Sequence, residues 1–321
     1  MNLIYWLTSF NLFGLALSIS DIFLTFYIWD KSQNIKTITV YHLAMFLVIP
    51  AFAVLAGILA EKKSPIYGYS IGLLVRVGVF VLVAIAPQFI ISNIWLFGTI
   101  YGASIGISAI PSNIINSKIF ENSLERLLSF NTAIGSTINL LAPFLASLLI
   151  PSFGYNHLLV VAIVFLILAW TATWKMKNIN YGDGKFSLIK VLLPGQKSEN
   201  NLLFMVQIIE GIRSGFLWAY GGIIAYLFVG GLRSWGIYNL FFSGLTIILG
   251  LIFAKILKLH LNKFFVVTTG LFYSLACLLL GVNSRLEYFL YYSFVLSFIS
   301  AVGWSSFWGT VNQIMKEDIN F

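Results

Sequence analysis

Charge is what this sequence lacks most. Asp, Glu, Lys and Arg make up 9% of its 321 residues, against about 25% in a soluble globular domain. So few charges cannot clothe a surface that faces water, and a hydrophobic content of 59% asks for an apolar solvent. A soluble enzyme, a nucleic-acid reader and a disordered protein are excluded; lipid is the expected surroundings. Cysteine is nearly absent as well. Cys277 stands alone, so an internal disulfide is impossible and thiol redox or zinc chemistry has no support. The histidines, His42, His157 and His260, lie at or near the ends of apolar stretches, too scattered to hold a metal. Walker-type phosphate loops, nucleophile elbows and metal-binding helices are missing, so neither an enzyme nor a cofactor is expected. Any uphill work must draw on an ion gradient or on the solute gradient itself.

Long apolar runs are what the chain has in plenty. A helix needs about 20 mostly apolar residues to cross the hydrocarbon core. Ten stretches qualify: 4–29, 38–60, 66–87, 91–117, 127–150, 155–174, 202–229, 235–258, 263–282 and 287–312. The first has no basic segment before it and runs well past the length of a signal core, so it reads as a retained helix. The short alternating segments of an outer-membrane barrel are absent. The expected fold class is an all-α polytopic membrane protein with about ten transmembrane helices. The connections are short except one, 175–200, which divides the chain into six spans and four. Boundaries follow: 1–175 as an N-terminal six-helix bundle, 176–200 as a central loop, and 201–321 as an incomplete C-terminal bundle of four helices.

The basic residues test that count. Alternate loops, with the C-terminal tail, hold 13 of the 19 lysines and arginines, including Lys62, Lys63, Lys118, Arg126 and Lys316. The opposite loops hold 4: Lys31, Lys36, Arg233 and Arg285. Positive charge gathers on the cytoplasmic side. The expected protein is therefore multi-pass in the cytoplasmic membrane, with its N-terminus and central loop in the cytoplasm. The excess charge, +8 overall, is explained by the membrane and implies no nucleic acid.

The two parts repeat weakly. Tyr41-His42-Leu43 opens the second span and Tyr238-Asn239-Leu240 the eighth, at an offset of 197. Under that offset the second copy begins near 198, and Phe321 falls on position 124 of the first, so counterparts of spans five and six are not found. A duplicated bundle is a common transporter architecture.

Between spans two and three stands G-I-L-A-E-K-K-S, Gly57 to Ser64. This resembles the signature loop of the major facilitator superfamily, with Glu61 in the acidic position, Lys62 in the basic one and Ser64 near the place of the second glycine. The layout of six spans, a loop and part of a second six also resembles that family, as does Glu125-Arg126 after span four. The resemblance implies a secondary transporter with a six-helix bundle and a second bundle lacking its last two helices. It also implies that Gly57, Glu61 and Lys62 form a cytoplasmic gating loop. Solvated flanking charge is the plainer reading of that loop. A ten-helix drug/metabolite transporter is the rival fold; it would divide after span five, where only the short P-S-F-G-Y stretch stands.

Four ionisable residues fall inside spans: Asp21, Arg76, Glu210 and Arg213. A charge at mid-bilayer costs roughly 2.5–3.5 kcal/mol on insertion scales. Such groups are expected to face the bundle interior and to mark a proton or substrate pathway. Glu210 and Arg213 are three apart on one helical face and can pair; separating them would free Glu210 to take a proton, and a permanent bridge is the bland alternative. Asp21 is a candidate proton carrier or a partner for Arg76. Arg76 could equally bind an anionic solute. Asn113, Asn139, Trp218 and Trp304 are candidate cavity-lining residues, although packing explains each as well. Pro111 in span four can bend its helix.

The sequence thus leads to a carrier that moves a small solute across the cytoplasmic membrane by alternating access of two bundles, with protons as candidate coupling ions. The small molecule and the lipid bilayer are its expected partners, and partner helices could complete the shorter bundle. A non-transporting membrane receptor or assembly protein, or an inactive truncated fragment, would share most of these features.

Overall fold

The structure is a computed structural model that describes residues 2–120, 124–179, 211, 214–256, 262–283 and 285–301. Those residues are helical and contain no strand. The helices are α1 (Asn2–Ser32), α2 (Ile35–Lys62), α3 (Pro65–Ile85), α4 (Pro87–Ser92), α5 (Ile94–Phe120) and α6 (Leu124–Thr173). They are followed by α7 (Ser214–Val229), α8 (Leu232–Ile256), α9 (Asn262–Val282) and α10 (Leu286–Ala301). Six described helices are long and apolar enough to cross a membrane, and α7, α9 and α10 are shorter apolar helices. The protein is an all-α polytopic membrane protein, as its composition requires.

Local chemistry sets the breaks. Asn34 caps α2, its side chain accepting from Lys36 N at 2.9 Å, and Ser64 caps α3, its Oγ accepting from Ile66 N at 3.3 Å. The third expected span ends early. Pro87 lacks an N–H and starts a new helix, so Ala86, with φ of −132° and ψ of 57°, leaves the helical region and α4 stands apart from α3. The fifth and sixth expected spans meet within α6 at Gly154, whose φ of 77° and ψ of 168° only glycine adopts readily. Gly230 and Gly231, with φ of 80° and 139°, make the turn between α7 and α8.

The chain divides into two compact units. The first holds 1–142 and 149–223. Its tightest seam joins α2 and α5, because α5 presents Gly98, Gly102 and Gly106 at four-residue intervals. A Cβ on any of the three would collide with the carbonyl oxygens of Tyr41, Met45 and Ile49 in turn. Small residues in this row let the two backbones touch. A second row, Gly68, Gly72 and Arg76 on α3, runs against Pro111, Ser108 and Ser104 on α5. The other unit holds 143–148 and 224–321. There Phe228 and Phe289 stack with centroids 4.6 Å apart, and Tyr238 donates to Ser293 Oγ at 2.7 Å, tying α8 to α10.

Candidate functional site

Arg76 ends the α3 row just described, and this position decides its surroundings. It is 2% exposed, one of the largest fully buried side chains. Its Nε donates to Ser104 Oγ at 3.2 Å. The guanidinium carbon lies 5.0 Å from the ring centroid of Tyr101 and 5.3 Å from that of Phe13. Ring faces attract a cation electrostatically, and a planar guanidinium suits them. Among the described residues Ser104 is its one protein hydrogen-bond partner, so most of its five donors are unspent there.

Tyr101 joins this cation to an anion. Its hydroxyl donates to Asp21 Oδ1 on α1 in a short contact. Ser20 Oγ donates to the same oxygen at 3.4 Å. Asp21 and Arg76 make no direct ion pair among the described residues. Tyr101 stands between them instead, hydroxyl to the carboxylate and ring face to the guanidinium. Tyr41 of α2 closes the group, its ring centroid 6.1 Å from that of Tyr101. Four helices, α1, α2, α3 and α5, thus converge on one charged, aromatic-walled centre within the first unit.

Asp21 and Arg76, both singled out by the sequence, therefore share one cluster. Asn139 lies on α6 and accepts from Ser18 Oγ of α1 at 2.5 Å, two helical positions from Ser20. Asn113 is exposed on α5, two residues past Pro111. Gly57 is buried in α2, while Glu61 and Lys62 are exposed in its last turn, so both charges belong to one helix end. Lys63 caps that end and reaches over the Tyr67 ring at 4.5 Å. Glu210, Arg213 and Trp304 lie outside the described residues.

Trp218 lines a cavity of 910 Å³ together with Thr39, His42 and Phe46 of α2 and Tyr220 of α7. It sits in a π-helical turn, Leu217–Gly221, and its ring centroid is 5.8 Å from that of Phe46. Tyr220 donates to Thr39 Oγ1 at 2.8 Å.

Tyr101, Tyr41, Phe13 and His42 escaped the sequence reading. One signal was available for Tyr101: it precedes Ser104 and Ser108 by three and seven residues, which puts all three on the face of α5 that meets Arg76.

No protein-family description matches the chain. Among curated proteins it is 22% identical over 222 residues to YqgE, an uncharacterised protein of Bacillus subtilis strain 168, covering 67% of this chain. The chain spans about half the length of that relative, 51%. Solved structures share the fold. The nucleoside transporter NupG superposes with a TM-score of 0.71 at 14% identity, over 96% of this chain and 80% of NupG. A NupG point mutant gives 0.68 at 15%, over 95% and 81%. A D-xylose-proton symporter gives 0.54 at 9%, over 92% and 79%. The fold of these solved structures thus extends over almost the whole chain.

Proposed function

We propose that the chain acts as a secondary carrier, moving a small solute across the cytoplasmic membrane by alternating access. The observation that carries this reading is the Asp21–Tyr101–Arg76 cluster, a buried cation and a half-buried carboxylate at the meeting of four helices in a transporter-like fold. Burying such charges is costly. Lipid-facing helices would lose nothing by replacing them with apolar side chains, so their presence favours a working polar centre.

In this reading the unspent donors of Arg76 face the solute, and Asp21 exchanges a proton. With Asp21 ionised, Tyr101 donates to it and the centre is nearly neutral in total. With Asp21 protonated, the anion that balances Arg76 is gone. The centre then favours either an anionic group of the solute or a different helix arrangement. Coupling follows because the two occupancies are not independent. The bundles expected from the sequence, 1–175 and 201–321, would rock about the 176–200 loop, with the N-terminus and that loop cytoplasmic. Glu61 and Lys62 would hold and release the cytoplasmic end of α2. Glu210 and Arg213 are proposed as the contribution of the 201–321 bundle to the pathway.

Purified protein in proteoliposomes tests the proposal. Labelled uridine, D-xylose and a monocarboxylate would be offered with and without an inward proton gradient. Gradient-driven accumulation of one of them is expected. In Asp21→Asn the accumulation should be lost while gradient-independent exchange survives. Unchanged gradient dependence in that variant sinks the proton role, and no flux of any solute in any condition sinks the carrier.

A further inference from the structure

The charged centre holds two opposite charges that the fold keeps apart, and each has one open end. We propose that the centre binds a zwitterionic solute of the α-amino acid type, its carboxylate on Arg76 and its ammonium on Asp21. This deepens the carrier reading and rests on it for the centre's place in a pathway. The monocarboxylate carried then also bears an ammonium group, and that group and the proton take turns on one carboxylate.

Arg76 supplies the first open end. Its Nε is spent on Ser104. Its two terminal nitrogens have no protein partner, and neither is sealed off: the fully occluded, unpartnered side-chain atoms among the described residues belong to Tyr27 and His42. The 2% of Arg76 that stays open therefore includes the fork that grips carboxylates in two parallel bonds. Asp21 supplies the second. Its Oδ1 accepts from Tyr101 and Ser20, while Oδ2 has no partner among the described residues. Oδ2 is not occluded either, and the residue is half-buried. An ionised carboxylate oxygen accepts hydrogen bonds only, so this one calls for a donor.

Direct pairing would have satisfied both groups at once. Arginine and aspartate close a bidentate pair when they can meet, and an unpaired charge away from water is costly. Tyr101 prevents the meeting. Its ring face holds the guanidinium, 5.0 Å from the centroid, while its hydroxyl at the ring edge holds the carboxylate. Phe13 and Tyr41 wall the centre without adding charge. A neutral sugar or nucleobase would leave both charges unmatched. A simple anion would suit Arg76 but set a second negative charge beside Asp21, and a simple cation would do the opposite. A zwitterion answers each charge in turn and leaves the total unchanged, which is charge complementarity acting as specificity. The rings favour an apolar remainder.

Binding tests this without flux. Full-length protein in lipid nanodiscs would be titrated with L-leucine and L-phenylalanine, each beside its N-acetyl derivative, which keeps only the carboxylate, and its decarboxylated amine, which keeps only the cation. Saturable binding of at least one amino acid is expected, with both single-charge analogues at least about tenfold weaker, the scale of one lost charged hydrogen bond. Asp21→Asn should reverse the preference between the amino acid and its N-acetyl derivative, and Arg76→Met should reverse that between the amino acid and its amine. Loss of packing alone would weaken all three ligands together. Failure of both amino acids to bind, an analogue that binds as tightly as its parent, or an unchanged order of preference in Asp21→Asn overturns the proposal. Should the variants not fold, the analogue series on the unaltered protein decides by itself. Flux of a simple monocarboxylate without amino-acid binding would refute this inference and leave the carrier standing; selective amino-acid binding without flux would do the reverse.

Discussion

The two units solve the burial of polar groups differently. In the first, the polar centre is charged: buried Arg76 and half-buried Asp21 sit among Phe13, Tyr41 and Tyr101. In the second, the buried polar side chains among the described residues are serines, Ser147, Ser293 and Ser297. Ser293 accepts from Tyr238, and Ser297 donates to Phe242 O at 3.2 Å. The helix packing differs in step. The apolar window of α5 is 56% buried, while that of α8 is 11% buried, with Phe241 and Leu251 on its open face. A buried charge needs partners from several helices at once, and only backbones in near contact can supply them. The glycine rows of α3 and α5 and the charged centre are therefore parts of one arrangement. The serine-and-phenylalanine seam between α8 and α10 shelters no charge among the described residues.

The comparison can be broken at the glycines, where the largest effect is expected. Gly102→Val pushes a side chain into Met45 of α2, and overpacking of this kind costs about 3 kcal/mol. Gly244→Ala on α8 meets nothing within 4 Å and should be neutral or stabilising by up to about 1 kcal/mol. Thermal unfolding of both variants in one detergent checks this. Equal shifts would show that the α2–α5 seam is no tighter than the surface of α8.

Next in size is the charge itself. Arg76→Met should lower solute uptake by at least about tenfold, since removing one member of a buried charged group costs several kcal/mol. Restoring a cation with Arg76→Lys should recover part of the uptake but not all, because an ammonium cannot stack on Phe13 and Tyr101 as a guanidinium does. Full activity in Arg76→Met would make the first unit as indifferent to charge as the second.

The smallest effects separate the two tyrosines. Tyr101→Phe keeps the ring beneath Arg76 but removes the bond to Asp21, a loss of about 1.5–3 kcal/mol for a charged acceptor. Tyr238→Phe removes a neutral hydroxyl pair, worth roughly 1 kcal/mol. Chemical or thermal denaturation should rank them in that order, and only Tyr101→Phe should also alter gradient-driven uptake.

Much of the fold was legible because lipid imposes it residue by residue. Apolar runs act locally; so do the caps at Asn34 and Ser64 and the glycines at turns, which the sequence reading did not single out. The misplaced end of the third span has the same kind of cause, a proline whose effect was read as part of the span and not as a new start. The candidate site was half legible. Arg76 and Asp21 stand out as charges in apolar surroundings. Tyr101 does not, being one of 15 tyrosines in an aromatic-rich chain, and His42 looked like a span-end residue.

The sequence by itself determined that this protein lives in lipid, that it spans by helices, and that a few ionisable groups must be sheltered inside them. Those outcomes depend on transfer from water, which each residue contributes nearly alone. Only the tertiary structure decided that Tyr101 stands between Asp21 and Arg76, and that α5 touches α2 through bare backbone. Those outcomes depend on which faces of separate helices meet, and hydropathy is almost blind to rotation about a helix axis when every face is apolar.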